Sequence, residues 1–164
     1  MTVFKSSFDN VDVRDLTITE CIFEGLSDRQ DDIVLTDGVT GEILTAGQLI
    51  NDIKSFAGGL TGRGFGKDHV IALMAPNMPA YAVVFHGIAW AGGTITTLNP
   101  AYTEHEVRHQ LLDSKAELLI TVPGFLDTAK AAIEGTGVEE IVVIGEADDA
   151  MPLANLMGAP IETQ

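Results

Sequence analysis

The sequence has little positive charge and almost no cysteine. Its 164 residues include 24 acidic side chains but only 9 lysines and arginines, so the formal net charge is −15. A protein this acidic repels nucleic-acid phosphates and anionic membranes, and neither is expected as a direct partner. The single cysteine, Cys21, cannot close an intramolecular disulfide. No neighbouring group would stabilise its thiolate, so we expect it to contribute only packing.

Charged side chains are absent from His69 to Thr103. A run of this length raises the question of a membrane helix. However, prolines, glycines and asparagines divide it into pieces too short to span a bilayer, so we expect no membrane span. His86 lies within this run, where a histidine is usually a core residue hydrogen-bonded to backbone. The first 15 residues include charges where a secretory signal would be apolar, which predicts a cytoplasmic protein.

The remaining sequence predicts an α/β fold. With 46% hydrophobic and 20% charged residues, the chain is long enough to bury a core. Four strands of buried type alternate with helices, which predicts a mainly parallel sheet covered by helices on both faces. The expected strands cover residues 70–75, 94–98, 118–122 and 141–144. Expected helices cover residues 18–26, 45–60, 80–91, 103–116 and 125–133, and a hairpin joins residues 33–36 to 42–44.

We divide the chain into three parts. Residues 1–32 form a loosely structured N-terminal segment, residues 33–145 form the α/β subdomain, and residues 146–164 form an acidic linker. The linker is expected because acidic residues accumulate there while Pro152, Gly158 and Pro160 interrupt regular structure.

Glycines at positions 62, 64 and 66 invite a nucleotide-binding interpretation. They follow a helix and precede a strand, however, and a dinucleotide fingerprint needs the opposite order. A phosphate-binding loop is also excluded, because Gly66-Lys67 is followed by Asp68 instead of Ser or Thr. The cluster is therefore interpreted as the end of a helix.

The segment His105-Glu106-Val107-Arg108-His109 matches the H-E-x-x-H pattern. In that pattern two imidazoles one helical turn apart chelate zinc, and the glutamate acts as general base. Here Thr103 would engage the glutamate in a capping box, the first histidine would lie in the frayed first turn, and the arginine would place a cation beside the metal. A solvated helix face is therefore favoured. A zinc hydrolase stays as an alternative, with His105 and His109 as ligands and Glu117 or Glu134 as a third.

Several segments together resemble the N-terminal region of the adenylate-forming acyl- and aryl-CoA ligases, luciferases and peptide-synthetase adenylation domains. The similarity is strongest to 4-coumarate-CoA ligase-like and fatty-acyl-CoA ligase members. It extends over about residues 33–145 and rests on the order and spacing of three motifs. These are Ala57-Gly58-Gly59-Leu60, Val70-Ile71-Ala72-Leu73-Met74-Ala75-Pro76-Asn77, and Gly92-Gly93 before Leu98-Asn99-Pro100-Ala101-Tyr102-Thr103.

The resemblance implies the first part of the large N-terminal domain of an ATP-dependent carboxylic acid-CoA ligase. In that family a carboxylate attacks ATP to give an acyl-adenylate, and the acyl group then passes to CoA with magnesium assisting at the phosphates. The family's phosphate loop, adenine and ribose motifs and catalytic lysine do not occur in residues 1–164. We therefore expect a truncated portion of the enzyme, with no catalytic residue, no ligase activity and no bound cofactor of its own.

The resemblance also suggests candidate residues near the CoA entrance, namely Asn99, Pro100 and Tyr102. Some relatives have a basic residue directly after the Asn-Pro pair, where it can meet the cofactor's phosphates. Ala101 occupies that position here. The acyl substrate, aromatic or fatty, is not indicated by these residues. A third hypothesis is a stand-alone interaction module that self-associates through apolar surfaces exposed by the truncation.

Overall fold

The computed structural model describes residues 4–9 and 13–162. Helices and strands alternate along most of the chain, with two short 3-10 helices at Pro123–Phe125 and Leu153–Leu156. The helices are α1 (Ile18–Leu26), α2 (Ala46–Gly62), α3 (Pro79–Trp90), α4 (Glu104–Ser114) and α5 (Leu126–Ala132). The strands are β1 (Ile33–Thr36), β2 (Ile43–Thr45), β3 (Val70–Met74), β4 (Thr94–Thr97), β5 (Leu118–Thr121), β6 (Glu140–Val143) and β7 (Met151–Pro152).

Five strands form one parallel sheet in the order β4-β3-β5-β6-β7. Strands β1 and β2 form a separate antiparallel hairpin. The predicted α/β class and parallel sheet are confirmed, and the bounds of β3 to β6 lie within one residue of those predicted. None of the helices in the described residues is long and apolar enough to cross a bilayer.

Alternate residues of the central strands point into two separate cores. Ile71 and Leu73 of β3 pack with α2 and α3 on one face of the sheet. Ala72 and Met74 pack with α4 and α5 on the other face. Each of these four side chains is at most 1% exposed. Helices therefore cover both faces, as predicted from strands without a polar side.

Three helices begin with the same reciprocal cap. At Thr17, Thr45 and Thr103 the hydroxyl accepts the backbone N–H of the third helical residue, whose side chain accepts the threonine N–H in return. The sequence predicts the box of α4 from Thr103 and Glu106 and, in the same way, the box of α2 from Thr45 and Gln48, and both are confirmed. Each box satisfies two backbone donors that the first helical turn cannot pair internally.

Three expectations about burial were wrong. Strand β4, expected deep in the fold, is the sheet edge, and its Thr94 and Thr97 are exposed because only β3 pairs with it. The helical pattern of residues 103–116 predicts that Leu112 faces inward together with Val107 and Leu111. Leu112 is instead 52% exposed, because it is rotated roughly 100° around α4 from the buried Leu111. Cys21 is exposed rather than packed, because α1 contacts the core through Phe23 and Leu26.

Residues 151–162 fold back onto the domain where a linker was expected. Met151–Pro152 extends the sheet as β7, and the following 3-10 helix buries Leu156 to 1% exposure. Proline is compatible with this position because β7 is an edge strand. Beyond it, the Trp90 indole N–H donates to the carbonyl of Ile161 at 2.9 Å, and Lys54 Nζ pairs with Glu162 at 2.7 Å. The division of the chain at residues 32 and 145 stays a prediction.

Two adjacent glycines of α2 allow this close return. A Cβ atom on Gly59 would lie 1.5 Å from the carbonyl oxygen of Leu156, and one on Gly58 would lie 1.9 Å from that of Ala159. The backbone N–H of Gly158 also donates to the carbonyl of Ser55 at 2.9 Å. The glycine pair is therefore a groove that admits the backbone of residues 156–159, which we call the tail.

Substituting Gly59→Ala should destabilise the protein by about 1–3 kcal/mol, because the added methyl forces the tail away from α2. Gly62→Ala is the matched control, since a Cβ atom there meets nothing within 4 Å. Alanine at that helical position should instead stabilise by up to about 1 kcal/mol. Urea unfolding of both variants measures the difference. Equal stability of the two variants would contradict the close packing of the tail against Gly58 and Gly59.

Candidate functional site

Open parallel sheets usually bind ligands outside the carboxyl ends of their strands, where the chain reverses its direction across the sheet. Here that point lies between β3 and β5. The strand after β3 in the chain, β4, lies on the β3 side of this point, and the strand after β5, β6, lies on the β5 side. The Thr121 hydroxyl donates to the carbonyl of Met74 at 2.8 Å and ties the two strand ends together. The segments that follow, residues 75–77 and 122–124, contain no charged side chain. This crevice therefore offers no cation for a phosphate group.

A groove of about 360 Å³ lies beside the end of β3, between the hairpin and the start of α3. Asp37 contributes the only charged side chain among its lining residues. Its carboxylate accepts the backbone N–H groups of Thr40 and Val39, at 2.9 and 2.7 Å, and these bonds lower the pKa of Asp37. This carboxylate stabilises the turn of the hairpin and would repel an anion from the groove.

The candidate residues near the CoA entrance form the loop between β4 and α4. The side-chain oxygen of Asn99 accepts the N–H of Ala101 at 2.9 Å, and its carbonyl accepts the N–H of Tyr102 at 3.0 Å. Pro100 and Tyr102 are half-buried, and Tyr102 packs against the core under α4. The loop is thus a turn stabilised by Asn99. A CoA contact from Asn99, Pro100 or Tyr102 stays a prediction.

The glutamate of the H-E-x-x-H pattern is occupied by the helix cap. Glu106 accepts the backbone N–H of Thr103 at 2.8 Å and its hydroxyl at 2.7 Å. Hydrogen bonding to the Thr103 backbone, followed by its hydroxyl, lowers the pKa of Glu106. A carboxylate held in this way is directed at the backbone of its own helix. It is therefore not placed to activate a water on the two histidines.

His105 and His109 are both exposed on the outer face of α4. Glu117, one suggested third ligand, lies 3.9 Å from His69 instead. Within residues 4–9 and 13–162, no group of three or more His, Cys, Asp or Glu side chains is arranged to hold a metal. A hydrolytic zinc centre with three protein ligands therefore has no support from this part of the chain.

His86 bonds to a side chain, whereas a backbone partner was expected. Its Nδ1 lies 3.1 Å from the hydroxyl of Thr19, which is 1% exposed. This contact links α1, which contains Thr19, to α3, which contains His86. Burial lowers the pKa of His86 from its ordinary value of 6.5. The residue therefore has a structural role, because it is half-buried and already paired with Thr19.

The lowered pKa of His86 predicts a pH-dependent stability. The unfolded chain binds a proton at this residue more readily than the folded protein, so the free energy of unfolding should fall as the pH drops below 6.5. His86→Gln removes the titrating group and should flatten this dependence between about pH 7.5 and 5.5. Urea unfolding across that range measures both slopes. A His69→Gln control should keep the original slope, and equal slopes in all three proteins would refute the assignment.

Solved structures that share this fold include two CoA ligases. A long-chain-fatty-acid-CoA ligase from Archaeoglobus fulgidus matches with a TM-score of 0.85 over 98% of this chain and 34% of that one, at 20% identity. A benzoate CoA ligase from Burkholderia xenovorans matches with a TM-score of 0.78 over 88% of this chain and 29% of that one, at 21% identity. At these identities the likeness shows the fold alone.

Sequence comparison then gives the family. The chain belongs to the AMP-binding enzyme family, whose model matches residues 23–159. It is 32% identical over 159 residues to 4-coumarate–CoA ligase 5 of Oryza sativa, which covers 96% of this chain and 29% of the relative. It is 37% identical over 109 residues to a long-chain-fatty-acid–CoA ligase of Salmonella typhimurium, covering 66% and 19%. The resemblance seen in the sequence is confirmed, and the chain spans less than a third of these relatives.

The family match includes the whole tail, which the resemblance had not covered. Sequence reasoning missed the tail because its contacts with α2 join residues about 100 positions apart. One signal was present: two adjacent glycines inside a helix are costly unless another backbone passes close by.

Proposed function

We propose that this chain is the N-terminal portion of an ATP-dependent carboxylic acid–CoA ligase. In the whole enzyme a carboxylate attacks ATP to form an acyl-adenylate and pyrophosphate. The thiol of CoA then attacks the acyl carbon, forming the thioester and releasing AMP. Magnesium assists at the phosphates. The family match over residues 23–159 is the observation that carries the proposal. The relatives are named for aromatic and for fatty acids, so the substrate class proposed is a carboxylic acid, used in the cytoplasm.

Within that enzyme, we assign residues 1–164 a scaffolding role without ligase activity of their own. Phosphoryl and adenylyl transfer require positioned cations and donors to meet the developing charge. Six of the nine lysines and arginines are engaged with carboxylates on the surface. The segments that leave the carboxyl ends of β3 and β5, residues 75–77 and 122–124, contain no charged side chain. These features support a scaffold whose cofactors, ATP, magnesium and CoA, are bound by other parts of the enzyme.

A chimera tests both parts of this proposal. Residues 1–164 would replace the matching region of the rice 4-coumarate–CoA ligase 5, and CoA-thioester formation from 4-coumarate would be measured. We expect the chimera to form the thioester and the isolated chain to form neither adenylate nor thioester. The relative lacking this region is the matched control. A well-folded but inactive chimera would contradict the family role, and adenylate formed by the isolated chain would contradict the scaffold role.

Exposed apolar side chains on the hairpin favour a second candidate, an interaction module that self-associates in isolation. Ile33, Val39 and Ile43 are 58%, 96% and 46% exposed. The net charge of −15 makes copies of the chain repel one another. Salt screens this repulsion over distances beyond about 10 Å at 0.1 M, so dimerisation should increase with salt concentration. Sedimentation at low and high salt measures this. The double variant Ile33→Thr, Ile43→Thr should stay monomeric, and a wild-type monomer at every salt concentration would exclude the module.

A further inference from the structure

The two histidines of α4 lie one helical turn apart on a face that no other element of residues 4–9 and 13–162 covers. Both side chains are exposed, and side chains four residues apart on a helix are neighbours with Cβ atoms about 5–6 Å apart. They line a shallow surface groove of about 430 Å³. Its other lining residues are Tyr102, Glu106, Gln110 and Asp113. The geometry suits an ion that binds two imidazole nitrogens at once.

The cation expected to disturb this pair is directed elsewhere. Arg108 forms an ion pair with Glu104 at 2.8 Å and donates to the backbone carbonyls of Ala131 and Ala132 at the end of α5. Its guanidinium thus lies toward α5, away from the exposed face of α4. The concern that a positive charge would compete with a metal ion at the histidines therefore does not apply.

The frayed first turn expected around His105 is also stabilised. Thr103 and Glu106 form a complete capping box, which fixes the helical start of α4. The carboxylates of Glu106 and Asp113 line the same groove and add a negative field that attracts cations. His105 is consequently held one turn from His109 before any ion arrives, and less conformational entropy is lost on binding.

We propose that His105 and His109 chelate one late first-row divalent ion, Cu²⁺, Ni²⁺ or Zn²⁺, through two imidazole nitrogens. Imidazole is a preferred ligand of these ions, whereas Mg²⁺ prefers oxygen. Water completes the coordination, because the described residues supply no third ligand. The ion is therefore exchangeable, and since the cap holds Glu106, the site is not a hydrolytic centre. This site is independent of the proposed ligase function.

Calorimetric titration of the untagged, metal-free chain with CuCl₂, NiCl₂ and MgCl₂ tests the proposal. We expect one ion per chain, tighter binding of Cu²⁺ than of Ni²⁺, and no Mg²⁺ heat at this site. Histidines 105 and 109 would be replaced singly, as His105→Ala and His109→Ala. Each variant should bind at least about tenfold more weakly, which is the lower end of the loss seen when even an outer partner of a metal site is removed.

Asp127→Asn and His69→Ala are the matched controls, because Asp127 is exposed on α5 and His69 precedes β3, and neither lines the groove on α4. Both should keep the wild-type affinity. Ni²⁺ should also raise the Tm of the wild type and of both controls, but not that of His109→Ala. Failure of the wild type to bind Cu²⁺ or Ni²⁺ would overturn the proposal. Full binding by His109→Ala would also overturn it. So would a result in which Asp127→Asn loses binding while His105→Ala keeps it.

Discussion

The fold depends on the burial of β3 and β5 on both faces of the sheet. Every residue of β5 is buried, and four of the five residues of β3 are buried as well. Strands of this kind have no face that water can cover, so helices must pack above and below them. From β3 to β6, each strand is followed in the sequence by a helix before the next strand begins. A helical connection of this kind returns the chain to the same end of the sheet, so the strands run parallel. Both cores meet at these two strands.

Local features of the fold were predictable because their causes lie within a few residues. The capping boxes at Thr45 and Thr103 need only a threonine and a glutamine or glutamate three positions later. Features set by distant partners were missed. The edge position of β4 depends on strand order, and the return of the tail depends on Gly59 meeting Leu156. The same holds at α4: spacing revealed the histidine pair, but the direction of Arg108 depends on carbonyls at the end of α5.

The distribution of charge separates an apolar interior from an acidic surface. The long stretch without charged residues, from His69 to Thr103, forms β3, α3 and β4. These elements supply much of the core that α2 and α3 cover. The acidic residues lie around this interior and engage most of the lysines and arginines in surface pairs. Such a domain is stabilised by apolar packing rather than by its ion pairs, which are exposed and individually weak.

Closure of the glycine groove by the tail has a consequence for synthesis on the ribosome. The surface of α2 around Gly58 and Gly59 is complete only when residues 156–161 arrive, about 100 residues later in the chain. At translation rates of about 5–20 residues per second, that delay lasts roughly 5 to 20 seconds. During this interval the nascent chain exposes the apolar side of α2 that Leu156 later covers. The docking of the tail is therefore the step that covers this side of α2 and protects it from aggregation and proteolysis during synthesis.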